Sequence, residues 1–260
     1  MKRNAPKKAI ILAAGFGSRL RPLTDLRPKP LVEVNGISIL ENALRNLEAI
    51  GVEDVTIVVG YRKDAIQYRC GNRFGTIAIN YVESTVFDKT GSAYSLWLAR
   101  SELMSDDLLL LEGDVFFELE ALRTVVDVDA GNAAALAAFD VTMEGSAAIL
   151  SGNGDIAEIR LKQTAADLTK RPLRLFKTMN LYRFRGEDLR GLIVPHLEYL
   201  VSSGGVKSYT EEVLSYLVRS KGLRIAGAIC DGLRWYEIDN EDDLRKAELI
   251  FSPQQRAVVV

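Results

Sequence analysis

The stretch LAAGFGSRLRPLTDLRPKPL, residues 12–31, decides how the rest of the chain is read. It opens at the end of a short apolar run, residues 9–12, with the length and composition of a buried strand. That run enters Gly15-Phe16-Gly17-Ser18, where small residues leave backbone N–H groups open to close approach at a strand's carboxyl end. The composition suits a phosphate cradle, although Gly-x-Gly alone also describes an ordinary turn. Two familiar phosphate loops are excluded: Leu20 stands where the dinucleotide fingerprint needs its third glycine, and the Gly-Lys-Ser/Thr ending of a Walker loop is absent. Four cations follow instead, Arg19, Arg21, Arg27 and Lys29, interrupted by Pro22, Pro28 and Pro30. Proline-fixed backbone holds such charges rigidly, guanidinium forks bind phosphate oxygens, and an ammonium acts as a point charge.

Beyond this stretch, short apolar runs alternate with stretches of helical period. Residues 9–12, 55–59, 77–82 and 108–111 read as strands. Residues 39–50 read as a helix with Leu40, Ala43, Leu44, Leu47 and Ile50 on one face, and 93–103 as another. This alternation predicts βαβ units around a parallel sheet. Past residue 132 the pattern changes to strands at 134–139, 147–150, 156–161 and 181–184, with Ser151-Gly152-Asn153-Gly154 as a hairpin turn. Helices at 187–201 and 209–219, a strand at 223–228 and a last helix at 241–251 follow, the last capped by Asn240 and stopped before Pro253. The expected fold is α/β, a doubly wound Rossmann-like, mainly parallel sheet with a mixed or antiparallel substrate-binding portion. One domain over residues 1–260 is expected, with halves at 1–131 and 132–260.

A chain of 260 residues, 48% hydrophobic and 26% charged, sits within the size of a single core. Its 33 basic and 35 acidic residues nearly cancel, so there is no broad positive field for nucleic acid or an anionic membrane, and any anion site must be local. The basic N-terminal residues precede an apolar run too short for a leader or a span, which makes the cytoplasm the expected location and leaves no nucleic-acid or membrane partner expected. Cys70 and Cys230 lack metal-binding spacing and read as reduced thiols. His196 lies at helical spacing far from the other candidates and reads as structural, and Gly-x-Ser-x-Gly is absent, which removes support for acyl hydrolysis. Asp114, at the end of the strand 108–111, stands where open α/β sheets place ligand-binding groups, and Asp239 precedes the last helix. Both are candidates for magnesium, which needs only one or two protein carboxylates, and both also fit a turn or N-cap aspartate.

Leu12-Ala13-Ala14-Gly15-x-Gly17-x-Arg19-Leu20-x-Pro22-x-Thr24, then Pro28-Lys29-x-Leu31, resembles the signature of the sugar-phosphate nucleotidyltransferase superfamily. The resemblance implies that the backbone of Leu12, Ala13, Ala14, Gly15 and Gly17 holds the nucleobase and phosphates, that Arg19 grips the β and γ phosphates, and that Lys29 meets the α-phosphate under attack. Gly113-Asp114 resembles the family's metal motif. Glu237-Ile238-Asp239 followed by Glu241-Asp242-Asp243-Leu244 resembles the ending of the cytidylyltransferase branch, in which the late aspartate shares Mg2+ with the earlier one. Phe176-Lys177-Thr178-Met179-Asn180-Leu181-Tyr182-Arg183-Phe184 is similar to the same branch, in particular the phosphocholine and phosphonate cytidylyltransferases. It implies that Lys177 neutralises an acceptor phosphoryl group and Asn180 orients it. A choline or aminoethyl acceptor also carries a cation, which aromatic faces and carboxylates hold. The candidates are Tyr94, Trp97, Tyr209, Trp235 and Tyr236 with Glu83, Glu211, Glu212 and Glu237. Trp235 beside Glu237 is the favoured pair, followed by the segment Tyr209-Thr210-Glu211-Glu212.

The combined expectation is a Mg2+-dependent cytidylyltransferase with residues 1–131 as its nucleotide-binding half and 132–260 as its acceptor-binding half. It would move CMP from CTP to a small acceptor of the phosphocholine, 2-aminoethylphosphonate or 2-hydroxyethylphosphonate type and release pyrophosphate, with Lys29 and Arg19 catalytic. The alternatives are a sugar 1-phosphate nucleotidyltransferase using another nucleoside triphosphate, and a catalytically silent, ligand-sensing relative. Spacing leaves the choice of base and acceptor open.

Overall fold

The computed structural model describes residues 5–104, 106–170 and 174–252. The N-terminal residues 1–4 and the helix-stopping Pro253 lie outside them. A ten-stranded sheet contains strands from both halves of the chain. Ile77–Glu83, Asp54–Val59, Lys8–Ala13 and Leu108–Glu112 lie side by side and parallel. Phe176–Phe184 then pairs antiparallel with Leu108–Glu112, and Gly145–Leu150 and Ile156–Gln163 continue the sheet antiparallel. The other edge of Phe176–Phe184 takes Ala133–Ala138, which pairs in turn with Ala226–Ile229. The sheet is therefore parallel where the glycine loop leaves it and mixed beyond, as the patterning predicts.

The first strand is apolar on both faces because both are covered. Ala9, Ile11 and Ala13 join one buried layer with Leu40, Leu44 and Leu47 of the helix Ile39–Ala49 and Leu122 and Val125 of the helix Leu119–Asp127. Ile10 and Leu12 join the opposite layer with Ala93, Leu96, Leu197, Leu214 and Leu217. Ser38 caps the helix Ile39–Ala49 by accepting from Glu41 N–H, which fixes its start.

Several boundaries differ from the sequence expectation for local reasons. The helix expected at 187–201 is divided into Gly186–Asp188, a π-turn at Leu189–Ile193 and Val194–Ser202. Pro195 has no N–H to give residue 191, so the regular i to i−4 ladder cannot run through. The stretch 93–103 is two helices, Ser92–Leu98 and Arg100–Leu103. The strand expected at 181–184 begins five residues earlier, at Phe176, and buries all nine of its residues. Within it, Thr178 opposes Leu136 and Tyr182 opposes Ala134, so four steps on one strand meet two on its neighbour. Asn180 sits inside this bulge with φ of 55°, a left-handed conformation that redirects its side chain. Among the described residues, no helix is long and apolar enough to cross a membrane.

Candidate active site

The loop after the first strand is shaped by what packs beneath it. Gly17 has φ of 61°, and a Cβ there would lie 2.8 Å from Lys29 Cβ. Only glycine permits both the turn and the close approach of Lys29. Thr24 Oγ1 donates to the Gly17 carbonyl at 2.9 Å, while Tyr61 supports the loop from the next strand through its N–H to Ala14 O and its hydroxyl to Thr24 O. A Cβ at Gly15 would meet nothing within 4 Å, so this face of the loop is open. Leu20 is fully buried with Val32, Val34, Ile39, Phe116 and Ile238 and anchors the segment as an apolar plug.

The four cations separate into two groups. Arg21 pairs with Asp25 and Arg27 with Glu33 at the surface. Lys29 turns inward to the carboxylates, and Arg19 reaches the second of them from the surface. Lys29 Nζ donates to Asp114 Oδ2 at 3.0 Å and to Asp239 Oδ1 at 2.7 Å, and an Arg19 guanidinium nitrogen lies 3.0 Å from Asp239 Oδ2. Asp239 reaches Asp114 because Trp235–Glu237 pairs antiparallel with Val115–Phe117 and Ile238 N–H donates to Asp114 O at 2.9 Å. Gly113 brings its own loop onto the first strand, where a Cβ would lie 2.8 Å from Leu12 O. Burial disfavours the charged form of Lys29, but Asp114 and Asp239 outweigh it and raise its pKa. Burial likewise opposes ionisation of Asp239, yet Lys29 and then Arg19 hold it below the ordinary carboxylate range.

The donor set suits a hard divalent cation. Asp114 Oδ1 is buried without a hydrogen-bond partner, Asp239 adds a second carboxylate beside it, and magnesium takes oxygen ligands of this kind in small number.

A second cluster forms across the bulge. Lys177, only 4% exposed, donates to Glu237 Oε2 at 2.6 Å, and Asn180 Nδ2 donates to Glu237 Oε1 at 3.2 Å. Glu211, in the first turn of the helix Thr210–Lys221, accepts from Ser146 Oγ at 3.0 Å. Glu112, which the sequence reading passed over, completes the group. It ends the strand Leu108–Glu112, lies beside Ser92, and leaves Oε1 buried without a partner. Its signal was a carboxylate at the end of an apolar strand, next to Gly113-Asp114. Burial, and then repulsion from neighbouring carboxylates, raises the pKa of Glu112; burial is likewise the main cause of the upward shifts of Glu211 and Glu237.

Other sequence candidates have different places. Glu83 ends a strand two positions beyond Lys8–Ala13, on the far side from Lys177, and pairs with Lys63 at 2.6 Å, which separates it from Glu211 and Glu237. Residue type is visible in sequence, whereas strand order is not. Glu212 accepts from Tyr209 N–H at 2.8 Å and so caps its own helix. The Trp97 ring lies tilted against Tyr94 and carries the Arg100 guanidinium 4.1 Å from its centroid, and Lys246 lies over Tyr236. Trp235 packs against the apolar layer two residues from Glu237 and on the same strand face. His196 stacks on Tyr216, and both cysteines are buried free thiols.

Comparison with known proteins bears on this arrangement. The chain is 34% identical over 254 residues, 96% of its length, to the CMP-5'-(3-aminopropyl)phosphonate synthase of Streptomyces rubellomurinus, of which it covers 40%. It is 36% identical over 113 residues, 43% of its length, to the 2-aminoethylphosphonate cytidylyltransferase of Lancefieldella rimae, of which the match covers 45%. Each match spans less than half of the relative's length. Among solved structures, the CTP:phosphocholine cytidylyltransferase of Streptococcus pneumoniae shares the fold with a TM-score of 0.75 at 23% identity, over 94% of this chain and 98% of that one. Residues 8–148, which include the glycine loop, Lys29 and Asp114, match the nucleotidyl transferase family, and the chain belongs to that family.

Proposed function

We propose that this chain is a cytidylyltransferase that moves CMP from CTP to a small phosphate or phosphonate acceptor and releases pyrophosphate. The observation that carries the reading is the Lys29 ammonium, held by Asp114 and Asp239 at 3.0 and 2.7 Å directly beneath the open glycine loop. In this reading the backbone from Leu12 to Gly17 receives the nucleotide, and Arg19, 71% exposed at its side chain, swings to the β and γ phosphates. Lys29 neutralises the α-phosphate. Lys177 draws the acceptor phosphoryl group from the opposite side, with Asn180 fixing its orientation and Glu211 and Glu237 facing its remainder.

An acceptor oxygen forms a bond to the α-phosphorus as the bond to the β-phosphate bridging oxygen breaks, and the electron pair leaves with pyrophosphate. The attacking oxygen is already anionic at neutral pH, so no strong base is needed, and positioning with charge neutralisation supplies most of the rate. Mg2+, when bound, would add charge neutralisation of the triphosphate, and Asp114 and Asp239 are the residues that would hold it. The similarity to an aminopropylphosphonate and an aminoethylphosphonate enzyme supports cytidine as the base and a small phosphonate as the acceptor. Neither nucleic acid nor membrane is part of this reading.

Pyrophosphate release, measured with each of four nucleoside triphosphates against phosphocholine, 2-aminoethylphosphonate, 2-hydroxyethylphosphonate and glucose 1-phosphate, tests it. Release is expected with CTP and the first three acceptors. Preference for glucose 1-phosphate with another nucleotide would replace the reading by a sugar-nucleotide one, and silence with every pair would remove it.

A further inference from the structure

We infer that Glu112 is a specificity-determining residue that receives the far end of the acceptor, and that this end is a primary ammonium group. The inference rests on the transfer to a small phosphate or phosphonate proposed above, and it names the substrate class within that reading.

Glu112 Oε1 has less than 1 Å² exposed and no hydrogen-bond partner. Buried polar atoms nearly always find a donor, so an oxygen kept bare beside Glu211 and Glu237 is a place for a donor from outside. Its surroundings are built around it. Ser92 Oγ, beside Glu112, accepts from Thr210 N–H at 2.9 Å and from Thr210 Oγ1 at 3.0 Å. That junction ties the end of the Glu112 strand to the helix turn that carries Glu211, a residue 8% exposed. Glu237 approaches from its own short strand, bonded to Lys177 and Asn180. Among the described residues, these three carboxylates do not form a metal-ligating group.

The charges ask for a dipolar ligand. Lys177 is the one cation that the described hydrogen bonds and ion pairs join to these three glutamates. An acceptor with an anionic phosphoryl group at one end and a cation at the other can take over both halves of the Lys177–Glu237 pair. It then brings the positive charge that Glu112 and Glu211 lack.

The kind of cation follows from its donors. A primary ammonium offers three N–H groups, enough for Glu112 Oε1, Glu211 and Glu237. A trimethylammonium offers none, would leave Oε1 bare, and needs aromatic faces instead. Two of the candidate faces are already taken within the chain, Trp97 by Arg100 and Tyr236 by Lys246. A hydroxyl donates one hydrogen bond but brings no charge.

The test compares initial rates of pyrophosphate release from CTP and Mg2+ with 2-aminoethylphosphonate, its N,N,N-trimethyl derivative and 2-hydroxyethylphosphonate. The wild-type chain should favour the primary amine by about tenfold or more in kcat/KM over either analogue, the size of one charge-assisted hydrogen bond. The isosteric Glu112→Gln should raise KM for the amine about tenfold, leave KM for CTP unchanged, and narrow the gap to the hydroxyl analogue. An unchanged amine KM in folded Glu112→Gln overturns the inference. So does equal use of all three acceptors by the wild type, a result that needs no variant and leaves the transferase reading standing. Absence of release with every acceptor removes that reading and this inference together.

Discussion

Lys29 and Lys177 each hold carboxylates at hydrogen-bond distance, yet they sit in different company. Lys29 bridges two aspartates, and Arg19 joins the second of them, so two cations meet two anions. Lys177 bonds Glu237 within a group that also contains Glu112 and Glu211, so one cation meets three carboxyl groups. The balanced cluster can exchange partners when a polyphosphate and a divalent cation arrive together, because each enters with the charge the other displaces. The unbalanced one keeps an excess of acceptor oxygens and suits a ligand that carries its own positive end. The two clusters also differ in origin. The first takes its cations from one local loop, whereas the second draws on strands, a bulge and a helix start separated along the chain.

If that division of labour holds, Lys29→Ala should have the largest effect, lowering kcat by about 10³ while CTP binding changes little. Steady-state turnover beside equilibrium CTP binding measures it, and near-normal turnover would break the distinction at its strong end. Lys177→Ala should come next, raising KM for the acceptor about a hundredfold because Glu237 loses its buried partner, with KM for CTP unaffected. Equal losses toward CTP and acceptor would mean that the two clusters act as one.

Two smaller effects separate site from scaffold. Burial pushes the Cys70 and Cys230 thiols up to about 11 from 9.0, away from either lysine. A raised folded-state value favours the neutral thiol in the native chain. The associated stability is therefore full below pH 9 and is lost as the pH rises through 11, by roughly 2 kcal/mol for each thiol. Urea melts at pH 8 and pH 11 should show that loss, and Cys70→Ala with Cys230→Ala should flatten the pH dependence with little change in kinetics at pH 8. Finally, Asn240 caps the helix Glu241–Ile250 by accepting from Asp243 N–H at 3.0 Å, and Asp243 Oδ2 accepts from Asp239 N–H. Asn240→Ala should cost about 1 kcal/mol of stability. A fall in kcat alongside the lower Tm would show that the cap also aims Asp239.

The contrast between the clusters explains what was legible. The loop at residues 12–31 could be read because its determinants are neighbours: Gly17 makes room for Lys29, and the prolines restrict the backbone between the cations. The parallel strands could be read because both faces are buried, which leaves a continuous apolar run. The Lys177 cluster was only half legible. The Phe176–Phe184 strand carries Lys177, Thr178, Asn180 and Arg183, all buried, and its polar first half gives no apolar pattern. Those side chains are tolerated because partners come from elsewhere, among them Glu237 for Lys177 and the carbonyls of Val126, Val128 and Ala130 for Arg183. Glu83 and Glu212 looked equivalent to Glu211 by type, but strand order sent one to Lys63 and helix capping occupied the other.

Neighbouring residues were enough to specify the doubly wound core, the glycine loop with Arg19 and Lys29, and the two aspartates as candidates. Periodicity, glycine and proline geometry and charge are properties of neighbouring residues, so they survive in one dimension. Only the folded chain shows that Asp239 lies beside Asp114 across the pairing of Trp235–Glu237 with Val115–Phe117, that a bulge turns Asn180 to Glu237, and that Glu112 keeps one buried oxygen unmet. Each of these depends on register and burial between distant segments, which only the folded sheet brings together.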